Sequence, residues 1–177
     1  MSDAVSPNFY RALTSARGAH NLILGTLLGS TVWHGFIGGL IAYRTLPRQQ
    51  FGNLQSKLFP RYFALQATGS LALLGLYHRA GKLIKSDRNM WVLAVMLGTS
   101  AANWLVVGPW TTAVMKKRHR RERIEGKDYN AADVSPEMKA LNKRFGALHG
   151  VSSMLNLGFL SAIVLATATT GAYGAAF

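Results

Sequence analysis

Three histidines stand in stretches that otherwise hold no ionisable side chain: His20 and His34 within residues 19–43, and His149 within residues 147–169. Asn21 and Asn156 share those stretches, and Asn103 lies in a third, residues 91–115. An imidazole in such a setting hydrogen-bonds a neighbouring helix, or it ligates a haem iron or transition metal. The first use is the primary reading, so no cofactor is expected. Haem or a metal on His20, His34 or His149 is the alternative. His34 lies nine residues before Tyr43, roughly 14 Å of helix rise, whereas His149 is near the start of its own stretch. His20 is at the opposite membrane face. His20 and His149 therefore cannot share a ligand, and His34 reaches His149 only if the first helix tilts or unwinds. Asn103 and Asn156 are the residues that would line a transport path, although no carboxylate or cation marks one. Hydrolysis lacks its parts, because the stretches contain no acid and no Ser/His/Asp set or metalloprotease motif occurs.

The elements that hold these residues are read from the apolar runs 19–43, 62–77, 91–115 and 147–169. Roughly 20 apolar residues cross a bilayer, and the second run is the shortest. Four such runs in 177 residues leave too little polar surface to cover a soluble core. The expected fold is all-α, an integral membrane four-helix bundle, with a leader (1–18), a four-span domain (19–170) and a tail (171–177). Gly108-Pro109 is expected to kink the third span. Stripes of small residues, Gly25-Gly29, Gly35-Gly39, Gly98-Ala102 and Gly158-Ala162-Ala166, are expected to let helices approach closely. They serve equally within the chain or between two copies. The first run is too long for a signal-peptide core, and Asp3 and the brevity of the leader argue against a mitochondrial presequence. The sequence has no cysteine, so disulfides and thiolate metal sites are excluded.

The net charge is +13, but the basic residues flank apolar runs instead of covering a soluble face, so nucleic acid is not the first reading. Of the 20 Lys and Arg residues, Arg11, Arg17, Arg79, Lys82, Lys85 and Arg88 fall on the side of the termini, and all the others on the opposite side. The positive-inside rule places the 44–61 and 116–146 connections in the cytosol and both termini away from it. Within the first connection, Phe51, Leu54 and Leu58 share one helical face. A short amphipathic helix over residues 47–58 is expected there, lying in the interface. Its apolar stripe meets the acyl boundary, or else the end of the bundle, and Arg48 and Lys57 meet headgroups. "KKRHRRER" follows the third run directly and supplies Lys116, Lys117, Arg118, Arg120, Arg121 and Arg123. Near an anionic membrane each is worth about 1 kcal/mol. The same run serves as a stop-transfer signal, or for RNA. Gly126 is expected to end this helix, and Ser135-Pro136-Glu137 to open the last one.

"WHGFIGGLIAYRTLPRQQFGNLQSKLFPRYF" (residues 33–63), "NWLVVGPWTTAVM" (103–115) and "RFGALHGVSSMLNLG" (144–158) resemble the transmembrane-protein-205-like family. The likeness covers most of residues 18–161 and suits a fungal-type member. Many relatives have Pro-Arg-Thr-Thr where this chain has Pro109-Trp110-Thr111-Thr112, so any role of that arginine lacks its residue here. The resemblance implies a four-span domain in an intracellular membrane, the mitochondrial outer membrane first and the endoplasmic reticulum second. It implies no catalytic residues. The function expected is that of a non-enzymatic scaffold or adaptor in organelle membrane or lipid homeostasis. A haem- or metal-binding oxidoreductase is the alternative and a small-molecule transporter comes third. The partners expected are membrane lipids with anionic headgroups, other membrane proteins, and a second copy of the chain.

Overall fold

A computed structural model describes residues 10–11, 14–80 and 88–174. Most of the leader, Lys82, Lys85 and the last three residues of the tail lie outside the described residues. Four helices dominate: α1 (Ala16–Thr45), α2 (Arg48–Arg79), α3 (Arg88–Glu125) and α4 (Pro136–Tyr173). No strand occurs among the described residues.

The ends follow local chemistry. The Ser15 hydroxyl accepts from the Gly18 N–H at 3.0 Å and opens α1. Gly126, in the left-handed conformation at φ 64°, closes α3. Ser135 caps α4 by accepting from the Met138 N–H at 3.1 Å, with Pro136 in the first turn. One core joins all four helices: Leu24 and Leu27 of α1, Leu73 and Tyr77 of α2, Leu93 and Met96 of α3, and Phe159 and Ile163 of α4. Outside it, Leu22, Phe36, Leu105, Trp110, Met154 and Leu157 point outward. α1, α3 and α4 are each long and apolar enough to cross a membrane.

The small-residue stripes divide. A Cβ on Gly158 would touch Thr99 at 3.6 Å, so that stripe packs internally. Gly25, Gly29, Gly35 and Gly98 face open space within the chain.

The expected short helix over residues 47–58 is not a separate element. α2 runs 32 residues in one piece, through Pro60. Pro60 removes one backbone donor, and on the same turn the Arg61 guanidinium donates to the Lys57 carbonyl at 2.8 Å. Gly52 supplies the reason the segment stays on the bundle axis. A Cβ there would lie 2.8 Å from the His119 ring and 3.0 Å from the Met115 sulfur, so glycine lets α2 lie this close to α3 without moving either side chain.

Both α1 and α3 widen into a single π turn, at Trp33–Gly38 and Asn103–Val107. Each closes on a glycine: Gly39 donates its N–H to the His34 carbonyl, and Gly108 to the Asn103 carbonyl. The expected kink at Gly108-Pro109 thus takes the form of a wider turn ahead of the proline. A Cβ on Gly39 or Gly108 would stand 2.5 Å from that same carbonyl oxygen. Gly39→Ala and Gly108→Ala should each cost about 1–3 kcal/mol, read as easier unfolding in a detergent titration. Gly25→Ala, with open space around it, should be neutral or better.

Candidate functional site

Polar side chains gather at three levels along α2. At the end holding Tyr77, His20 is buried, with its ring centroid 6.2 Å from that of Tyr77 and Nδ1 3.4 Å from Asn21 Oδ1. Asn21 itself is exposed on the single chain, since it stands one residue round the helix from the buried His20.

At the middle level Gln66 is fully buried. Its Nε2 lies 2.8 Å from the Tyr62 hydroxyl, 3.3 Å from Thr31 Oγ1 and 3.2 Å from Asn156 Oδ1. Tyr62 donates to Asn156 at 3.0 Å, and Asn103 donates to the Ser152 carbonyl at 3.1 Å. Every helix is held by this level. In hydrocarbon, where water supplies no partner, such bonds fix which faces meet.

Beyond it, α1 diverges. Its first half packs on α2 and α4, but after the π turn its backbone keeps only α2 as a neighbouring helix. The gap is a cavity of about 360 Å³. Tyr43, Phe51, Phe59 and Phe63 give it aromatic walls, and Gln55, Thr112, Ser152 and Ser153 give it polar ones. His34 and His149 both line it. The His34 ring packs between Phe59 and Tyr62, with centroids at 4.9 and 4.5 Å. His149 is exposed on the single chain, because it stands at the gap α1 leaves, and it stacks on Phe145 of its own helix at 5.6 Å. Two imidazoles are what the cavity offers a metal. Among the described residues no group of three His, Cys, Asp or Glu is placed to hold one.

The third level, at the basic end, centres on Glu122, which is 4% exposed. Arg48 pairs with its carboxylate, Gln49 donates to it at 3.0 Å, and so does the Tyr129 N–H at 3.0 Å. The Arg48 and Arg118 guanidiniums lie over the Tyr129 ring at 4.2 and 4.5 Å, and Arg118 also covers Phe145. Arg118 donates to Asn142 at 2.9 Å. Arg121 pairs with Glu125 at 2.6 Å and Glu137 at 2.9 Å. Lys127 donates to Asp133, and that bond, then the ammonium charge, holds the Asp133 carboxyl below the usual carboxylate range.

This layer sorts the contact residues expected from sequence. Arg118 is buried and Arg48 and Arg121 are engaged, so none of the three stands free for headgroups. Lys116, Lys117, Arg120 and Arg123 are exposed. Phe51 is half-buried against Tyr43, whereas Leu54, Lys57 and Leu58 face outward. Glu122, Gln55, Tyr62 and Gln66 were not read as functional from sequence. The last three share one face at spacings of seven and four, which is the signal that would have found them.

The family described as a domain of unknown function, DUF4149, matches residues 22–120. The chain belongs to it. The matched residues run from α1 through α2 and into α3 as far as Arg120. Transmembrane protein 205 of Danio rerio is 29% identical over 156 residues, covering 78% of this chain and 82% of that protein. Xanthocillin biosynthesis cluster protein D of Aspergillus fumigatus is 25% identical over 145 residues, covering 82% of each chain. Both agree with the likeness to the transmembrane-protein-205-like family drawn from the sequence. No solved structure matches the chain. With its long apolar helices, the chain is a multi-pass membrane protein of this family.

Replacing the central carboxylate tests the basic layer. Glu122→Gln leaves Arg48 without its counter-charge. Since the Arg48 side chain keeps 32% of its surface exposed, the loss should fall at the low end for a broken buried pair, about 3 kcal/mol. Limited trypsin digestion of the detergent-solubilised protein should then cut faster after Arg48.

Proposed function

We propose that the chain is a non-enzymatic four-span scaffold of an intracellular membrane, with its basic end in the cytosol, acting in organelle membrane or lipid homeostasis. The mitochondrial outer membrane is the favoured site, and both termini face away from the cytosol. The fourth span is α2. It meets Glu122 of α3 at its start and approaches His20 of α1 at Tyr77. Its 32 residues, roughly 48 Å of rise, therefore run beside whatever α1 and α3 cross.

The observation that carries the scaffold reading is the division of cations around Glu122. Arg48, Arg118 and Arg121 build a fixed platform from α2, α3 and the start of α4, and Lys116, Lys117, Arg120 and Arg123 are presented outward from it. A rigid, positively charged surface beside a membrane suits anionic headgroups, on the same leaflet or an apposed one. Lys57 stands exposed on α2 near this end.

Protein in phosphatidylcholine nanodiscs should bind phosphatidylserine vesicles at low ionic strength. Changing Lys116, Lys117, Arg120 and Arg123 to Gln should weaken this by roughly fivefold per cation. Arg118→Gln should lower thermal stability while leaving vesicle affinity within twofold, ~0.4 kcal/mol. Unchanged binding by the fourfold variant would leave the run only a topological role. The natural lack of cysteine makes sidedness direct to read. Single cysteines at Asn53 and Asn130 should react from the cytosolic face alone, and labelling from opposite faces would overturn the four-span arrangement.

A further inference from the structure

The cavity between α1 and α4 has no part in the scaffold reading, and its chemistry is specific. Two polar atoms in its walls are buried and without a hydrogen-bond partner among the described residues: Gln55 Oε1 and His34 Nε2. Gln55 is 9% exposed. An unpaired amide oxygen at that burial is costly, and a ligand group that donates to it removes the cost. Its volume, about 360 Å³, falls in the range that small-ligand pockets take, about 300–1,000 Å³.

Three features define what fits. First, among the described residues no carboxylate, lysine or arginine lines the cavity, so a charged group entering it would lose its hydration without gaining a counter-ion. The ligand is uncharged. Second, Phe59 and Phe63 face the space beside Gln55, so most of the ligand's body is apolar. Third, a hydroxyl both donates and accepts, and so it satisfies Gln55 Oε1 or His34 Nε2 whichever tautomer the imidazole holds.

The route of entry follows from the helices. Beyond its π turn α1 no longer packs on α4, and the flanking outer surfaces are apolar, with Phe36 and Leu40 on one side and Val151 and Met154 on the other. The opening therefore faces the bilayer. We propose that this cavity is a lateral binding site for an uncharged lipid bearing a free hydroxyl, with that hydroxyl at Gln55 and the apolar body along Phe59 and Phe63.

The test is photolabelling of the full chain in phosphatidylcholine nanodiscs. Four diazirine probes are used: a sterol, the methyl ether of the same sterol, a diacylglycerol, and a phosphatidic acid. Saturable labelling by the sterol or the diacylglycerol, mapped to peptides within residues 34–63 and 149–156, supports the proposal, and those two arms tell a rigid ring from paired chains. The methyl ether should label roughly tenfold less than the alcohol, since it leaves the amide oxygen unpaired. Gln55→Leu should lower labelling to a similar degree. Gly35 lines the same cavity and a Cβ there meets nothing within 4 Å, so Gly35→Leu can carry its side chain into that space from an unobstructed Cβ. It should abolish labelling while thermal unfolding is unchanged. Equal labelling by phosphatidic acid, an ether as effective as the alcohol, or full labelling of Gly35→Leu would each overturn the assignment. These readouts do not involve the basic face, so either idea survives the failure of the other.

Discussion

A single carboxylate holds the basic end together. Glu122 is buried beside Arg48, close to Arg118, and without it the like charges of these two arginines would oppose the approach of α2 to α3. With it, the start of α2, the end of α3 and the connection before α4 close on one point, through Arg48, Gln49 and the Tyr129 N–H. The outward cations of α3 are therefore carried on a segment that is tied both to α2 and to the last connection. Buried charge of this kind adds little net stability, but it specifies one arrangement over its rivals.

The middle of the bundle works by a different constraint. Lipid offers helices no hydrophobic drive to associate, so close packing and hydrogen bonds decide which faces meet. Gln66 connects α1, α2 and α4 through Thr31, Tyr62 and Asn156, and Asn103 adds α3 through a backbone carbonyl. Below this level the helices pack as one apolar core. Above it the wider turn in α1 lets the bundle open, and Gln55 Oε1 and His34 Nε2 are left there without partners among the described residues.

Much of the helical layout was legible from residue types. The cap at Ser135-Pro136, the stop at Gly126 and the three most apolar helices follow from local preferences and hydropathy. The continuous course of α2 was not, because Pro60 reads as a boundary, and what overrides it is a tertiary contact between Gly52 and α3. Among site residues, His20, His34, Asn103 and Asn156 stand out as polar residues in apolar runs. Glu122 did not, because in a run of cations a lone acid looks like ordinary surface balance. Only the folded chain separates the buried Arg118 from the exposed Arg120 two residues later.

The π turn at Asn103–Val107 carries one consequence beyond the local opening of the helix. A helix advances about 100° per residue, so the extra residue in that turn sets the angular phase of all that follows it in α3. It is the reason Arg118, His119 and Glu122 point inward while Lys116, Lys117 and Arg120 point away. Removing one residue there would rotate the whole distal segment like a key in a lock. The platform and the outward charge pattern are thus indexed to a single inserted residue upstream of them in α3.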